Sequence, residues 1–222
     1  MTPRLLATGR AAEVFDLGDG TVLRRYRVDH DTALEARLMQ WLHDRGYPVP
    51  RVLSASGREM VMERIDGQTM LADMGRRPWR IGRHLRLLAA LQRSLGELTA
   101  PDWLPAVAHV PAGDAVLHLD LHPLNVLLSP AGPVVIDWTN TARGPAGFDA
   151  ATSYVVLATS TVDRARERLG RRWAVHSFVG ASRDHAEFVS AAAERRLLDP
   201  NVTAEERTRI RRLLPNAPTA DR

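Results

Sequence analysis

The chain of 222 residues contains no cysteine, which excludes disulfides, thiolate nucleophiles and cysteine-held metals. It contains no lysine either, so all 30 basic residues are arginine. A GC-rich coding sequence explains that bias, yet it leaves no side-chain ammonium for any site. No apolar run approaches the roughly 20 residues of a membrane span. The opening Met1-Thr-Pro-Arg-Leu-Leu has no apolar core of the signal-peptide kind. A cytoplasmic protein without a membrane partner is the expectation. The chain also lacks aromatic-interleaved basic strands, a recognition-helix pattern and zinc-ligand spacing, so its arginines do not predict a nucleic-acid partner. What is present is ordinary for a soluble globular protein: 45% hydrophobic and 25% charged residues. The length suffices for one large domain or two small lobes with ample core.

The informative stretch is His118-Leu-Asp-Leu-His-Pro-Leu-Asn125, followed twelve residues later by Asp137 in Val-Val-Ile-Asp-Trp. Val126-Leu-Leu128 reads as a strand, residues 129–133 as a turn, and Val134-Val-Ile136 as a returning strand. A hairpin of that length predicts Asn125 and Asp137 side by side, with Asp120 on the same loop as Asn125. Carboxylate and amide oxygens in one place suit Mg²⁺ and a phosphate chain.

His-x-Asp-x-x-x-x-Asn followed by Ile-Asp-Trp resembles the catalytic and metal-binding loops of the aminoglycoside phosphotransferase and choline kinase family. Those are small-molecule relatives of the protein kinases, whose His-Arg-Asp-x-x-x-x-Asn and Asp-Phe-Gly segments do the same work. The resemblance implies an α+β, bilobal, kinase-like fold. A small antiparallel-sheet lobe is expected over residues 1–65, covering the nucleotide. A larger, mostly helical lobe is expected over 66–214, carrying catalysis and acceptor binding, with a flexible tail at 215–222. The implied reaction moves the γ-phosphate of ATP or GTP to a hydroxyl of a small molecule, with Mg²⁺. Sequence leaves ATP and GTP, and monomer and dimer, as open pairs.

The same resemblance assigns roles by position. Asp120 accepts or orients the proton of the acceptor hydroxyl, and His122 stands where protein kinases carry a lysine. Asn125 and Asp137 are the metal ligands. His118 packs beneath the loop. Asp149, in Gly144-Pro-Ala-Gly-Phe-Asp149, is expected to cap the next helix and brace the catalytic loop. Arg24 matches the phosphate-holding lysine and Glu35 its helix partner, although a planar guanidinium is not equivalent to an ammonium. Glu63 and Ile65, in a segment similar to the family hinge, are expected beside the nucleotide base.

The remaining pattern fits two lobes. Residues 5–27 read as strands around the turn Gly18-Asp-Gly20, and the loop at Gly9 is poor in glycine. Residues 31–45 read as a helix with Leu34, Leu38, Trp41 and Leu42 on its apolar side and Asp29 or Asp31 as cap. Residues 51–54 and 59–62 read as strands, and 77–97 as a helix striped with Ile81, Leu85, Leu88, Leu91 and Leu95. Further helices are expected at 150–158, 162–173, 183–198 and 203–214, the last opening on a capping box.

Only eleven residues separate Asp137 from Asp149, too few to cradle a peptide, which favours a small acceptor. From residue 141 onward 14 arginines face 10 acidic residues. That balance gives no support for a polycationic aminoglycoside and suits a neutral or anionic hydroxylated molecule, or a macrolide-like one. The missing lysine and glycine-poor loop also fit a pseudokinase that binds nucleotide without useful turnover. The presence of Asp120, Asn125 and Asp137 together speaks for an enzyme.

Overall fold

The computed structural model describes residues 3–9, 11–161, 165–182 and 185–214. The expected tail at 215–222, Arg10 of the first loop, and the expected helix starts at Val162 and Arg183 lie outside the described residues. In chain order the strands are β1 (Arg4–Thr8), β2 (Ala12–Asp16), β3 (Thr21–Tyr26), β4 (Val52–Ser56), β5 (Glu59–Glu63), β6 (Gln68–Thr69), β7 (Ala115–Leu117), β8 (Val126–Ser129), β9 (Gly132–Val135) and β10 (Ala142–Gly144). The α-helices are α1 (Ala33–His43), α2 (Met70–Arg76), α3 (Ile81–Gly96), α4 (Ala146–Thr159), α5 (Ala165–Ala181), α6 (Val189–Leu197) and α7 (Ala204–Arg211). The chain divides into two compact units, Met1–Gln68 with Val126–Thr139, and Thr69–Asn125 with Asn140–Arg222.

The first unit is built on an antiparallel sheet of order β1-β2-β3-β5-β4. β3 is flanked on both sides, and its alternation sends adjacent arginines to opposite faces. Arg25 is exposed and pairs with Glu59 at 2.7 Å, while the Arg24 side chain is only 12% exposed. Helix α1 buries Leu38, Met39 and Leu42. Its buried face runs through positions 35, 38, 39 and 42, so Glu35 takes a place that an apolar residue normally fills. This turns Leu34, expected on the apolar side, out to solvent. At the helix start Asp31 accepts the Ala33 N–H at 3.0 Å, while Thr32 holds the N-cap position and donates to the Gly57 carbonyl at 3.0 Å.

The hairpin of β8 and β9 belongs to this unit and pairs Val126 with Val135. Its turn is shorter than the five residues expected, because Ser129 and Gly132 already pair. The Val135 N–H donates to the Pro48 carbonyl at 2.8 Å. Trp138 is wholly buried, donates to the Val135 carbonyl at 3.1 Å and meets Tyr47 edge-on at 5.7 Å. A Cβ on Gly67 would lie 2.6 Å from the Leu128 carbonyl oxygen, so only glycine lets that segment approach the hairpin.

The second unit is mostly helical. The stripe Ile81, Leu85, Leu88, Leu91 and Leu95 is buried along α3. α4 buries residues on nearly every side, including Phe148, Ala151 and Val155, which marks it as the central helix. These three pack with Leu117, Leu119, Phe188, Ala192, Ala193, Val202 and Ile210 in one core. α4 starts at Ala146 with Pro145 at its N-cap position, so Asp149 does not cap it. The capping box of α7 forms: Thr203 Oγ1 accepts the Glu206 N–H at 3.2 Å and Glu206 Oε2 accepts the Thr203 N–H at 3.0 Å. Among the described residues no helix is long and apolar enough to cross a membrane.

Candidate active site

In the first unit β3, α1 and the segment after β9 bring Arg24, Glu35 and Asp137 together. Arg24 Nη1 donates to Glu35 Oε1 at 2.8 Å, and Nη2 donates to Asp137 Oδ1 at 2.5 Å and to Thr139 Oγ1 at 3.1 Å. Burial pulls the guanidinium pKa down, but Glu35 and then Asp137 outweigh it, and the net shift is upward. The arginine therefore stays charged at every working pH. Two further side chains close the cluster, and neither was evident from sequence. The Tyr26 hydroxyl donates to Glu35 Oε2 at 2.6 Å and lies 2.9 Å from Thr139 Oγ1. Thr139 Oγ1 also donates to Asp137 Oδ1 at 2.9 Å. Burial, reinforced by Glu35, pushes the Tyr26 phenol well up, which keeps it a neutral donor.

Asp137 has φ 68°, a left-handed conformation that Asp tolerates better than most residues. Its side chain is 44% exposed, unlike the nearly buried Glu35. Glu63 closes β5 and is exposed, and Ile65 is half-buried beyond it. The Arg64 N–H between them donates to the Gly20 carbonyl at 2.9 Å. Among the described residues the hydrogen bonds of Arg24 go to Glu35, Asp137 and Thr139, while Glu63 Oε2 accepts the Arg51 N–H at 3.4 Å.

In the second unit the loop at 118–125 follows β7. Leu119 adopts φ 63°, a costly conformation for a branched side chain, on the order of 1–2 kcal/mol. Asp149 Oδ1 accepts the Leu119 N–H at 2.6 Å and holds that turn. Asp149 is thus the brace of the loop, reaching it from the first turn of α4. Burial pushes its carboxyl up, and the opposing pull of His118, the Leu119 N–H and the Gln92 amide does not cancel that effect. Gln92 Nε2 donates to Asp149 Oδ2 at 3.1 Å and to Ser153 Oγ at 2.8 Å, and Ser153 Oγ donates to the Leu121 carbonyl at 2.7 Å. Gln92 is the readable signal here, a polar residue on the buried side of α3.

Asp120 sits at the turn that Asp149 secures. Its N–H donates to His118 Nδ1 at 3.3 Å, and His118 is wholly buried. His122 Nε2 lies 3.5 Å from Asp120 Oδ1, while His122 Nδ1 accepts the Leu124 N–H at 3.3 Å. That backbone contact assigns the ring proton of a neutral His122 to Nε2, facing Asp120. Asn125 Nδ2 donates to the Asp120 carbonyl at 2.9 Å, which commits the amide nitrogen and turns the amide oxygen to other work. The loop therefore presents a carboxylate, an imidazole N–H and an amide oxygen.

The sequence pattern of the phosphotransferase enzyme family, APH, matches residues 2–109 and 102–188. The chain belongs to this family. No curated protein sequence matches it. Among solved structures it is similar to the gentamicin complex of APH(2")-IIa, at 14% identity and a TM-score of 0.64, covering 88% of this chain and 82% of that one. It is similar to the apo form of a thermostable mutant of aminoglycoside phosphotransferase APH(4)-Ia, at 15% identity and 0.63, covering 96% and 94%. A choline/ethanolamine kinase family protein from Mesorhizobium loti gives 16% identity and 0.63, covering 96% and 87%. The APH fold of this chain is the bilobal kinase-like one, a small antiparallel-sheet lobe and a larger helical lobe. As an APH family member the chain is a nucleotide-dependent phosphotransferase whose acceptor is a small-molecule hydroxyl.

Proposed function

We propose that this APH member transfers the γ-phosphate of ATP or GTP to a neutral or anionic hydroxylated small molecule, with Asp120 serving the acceptor hydroxyl. The observation that carries the reading is the Arg24–Glu35–Asp137 cluster. A buried guanidinium fixed by one carboxylate, with a second, half-exposed carboxylate on its other end, is suited to gripping a phosphate chain. Residues 1–65 cover the nucleotide and 66–214 carry catalysis and the acceptor pocket, with Glu63 and Ile65 beside the base.

Each of the two proposed donors has the chemistry that Mg²⁺ takes. Asp137 offers an anionic oxygen and Asn125 an amide oxygen whose orientation is fixed by its own N–H bond. Among the described residues no group of three or more His, Asp or Glu side chains forms a metal cage. Mg²⁺ needs none, because it keeps waters and takes phosphate oxygens beside one or two protein ligands. When bound, it neutralises charge on the phosphates.

Asp120 accepts the acceptor proton, and the His122 Nε2–H donates toward the same carboxylate or toward the transferring phosphate. Arg195, on α6, feels the fields of Asp120 and Asp149, which oppose the lowering of its pKa by burial. A cation there supports an acceptor that is not a polycation. Because nucleoside triphosphates are supplied in the cytoplasm, that compartment is the proposed site of action.

The test is thermal denaturation of the full chain with ATP or GTP and MgCl₂. One nucleotide raises the Tm, and Asp137→Ala abolishes the metal-dependent part of that rise. A parent chain indifferent to both nucleotides overturns the reading. A screen of hydroxylated metabolites and antibiotics for ADP or GDP release then identifies the acceptor.

A further inference from the structure

We propose that Tyr26 and Thr139 are positioning residues for the phosphate clamp, fixing the plane of the Arg24 guanidinium and releasing one of its ends to the nucleotide. This rests on the nucleotide-binding reading above. An ammonium in this place is a point charge whose orientation does not matter. A guanidinium is a planar fork with distinct ends, so its orientation must be set.

The two ends are held differently. Nη1 faces Glu35 Oε1, and the other oxygen of Glu35 accepts the Tyr26 hydroxyl, so that carboxylate is secured from both sides. The Tyr26 ring also lies under the guanidinium, 4.8 Å from its carbon. Nη2 faces Asp137 Oδ1 and Thr139 Oγ1. The Tyr26 proton is committed to Glu35, because a carboxylate only accepts. The single Thr139 proton then has two acceptors in reach, Asp137 Oδ1 at 2.9 Å and the Tyr26 oxygen at 2.9 Å. When Asp137 turns to the metal–nucleotide, Thr139 redirects its proton to Tyr26 and no hydroxyl is orphaned. Nη2 is freed for a phosphate oxygen while Nη1 stays on Glu35. The guanidinium pivots on its Glu35 end, and Thr139 acts as the rotor that makes the exchange inexpensive.

The experiment is calorimetric titration of Mg²⁺–nucleotide into the full chain. Tyr26→Phe keeps the ring and its packing and removes only the hydroxyl. It weakens nucleotide binding roughly 10-fold, the scale of one hydrogen bond to a charged group. In an Arg24→Lys background the same change weakens binding by less than about 3-fold, since an ammonium has no plane to set. Thr139→Val repeats the loss and Thr139→Ser restores binding, which keeps the idea testable if Arg24→Lys folds poorly. Equal Tyr26→Phe losses in both backgrounds, or a Thr139→Val variant that binds like the parent, overturn the inference alone. A parent chain that binds neither nucleotide overturns the nucleotide reading and this inference with it.

Discussion

Asp137 in the first unit and Asp149 in the second are both carboxylates beside candidate site residues, and they are held in opposite ways. Asp137 is half-exposed, and it pairs with a long arginine and a threonine hydroxyl that can both turn elsewhere. Asp149 is only 2% exposed and grips a backbone N–H and a glutamine that lie 30 and 57 residues away in sequence. The contrast separates two jobs. A carboxylate that must change partners during a reaction belongs near solvent, among mobile donors. A carboxylate that must keep a strained turn in place belongs in the core, on groups with nowhere else to go.

The largest expected effect comes from taking away the fixed member. Asp149→Ala leaves the Leu119 N–H buried without its acceptor and leaves the Gln92 amide with Ser153 alone, and unfolding free energy falls by about 2–4 kcal/mol. Urea denaturation measures this, and phosphate transfer falls with it because the Asp120 turn relaxes. A variant with an unchanged urea midpoint erases the contrast. Asp120→Asn cuts the other way. Transfer to the acceptor drops by about 10²–10⁴-fold while stability stays within about 0.5 kcal/mol and nucleotide still raises the Tm. Unchanged transfer removes Asp120 from the proton-accepting role.

The smallest effect concerns Asp73, a third carboxylate, 1% exposed in α2. His84 at 2.8 Å, then Arg77 at 2.6 Å, hold it down to about 2 against the opposing effect of burial. Its folded pKa lies below the ordinary 3.8, so its contribution to stability is present above pH 3.8 and is lost as pH falls toward 2. Asp73→Asn therefore costs about 1–3 kcal/mol at neutral pH and flattens the acid limb of the stability profile in that window. An acid limb identical to that of the parent shows that Asp73 carries no pH-dependent stability.

What could be read from the chain followed how local each signal was. The α3 stripe and the β8–β9 hairpin were legible because helical period and turn chemistry are written in neighbouring residues. Arg24 was distinguishable from Arg25 because a strand alternates. The α1 stripe was right at Leu38 and Leu42 and wrong at Leu34, since a periodicity count does not expect Glu35 on the buried side. β7, β10 and α2 went unread, being too short to show a period. Asp149 read as both a cap and a brace of the loop; the cap fails because Pro145 takes that place, while the brace forms through the Leu119 N–H and Gln92 of α3. Tyr26 and Thr139 were hidden because their meeting is not local, as they lie 113 positions apart in the chain.

The guanidinium of Arg24 also decides how this enzyme can be labelled. Acyl-phosphate nucleotide probes mark kinases by acylating the amine that holds the phosphates, and this chain offers no side-chain amine at all. If Arg24 holds the nucleotide phosphates as proposed, such a probe meets no side-chain amine to acylate there. An arginine-directed dicarbonyl, excluded by bound nucleotide, is the reagent whose chemistry matches the clamp.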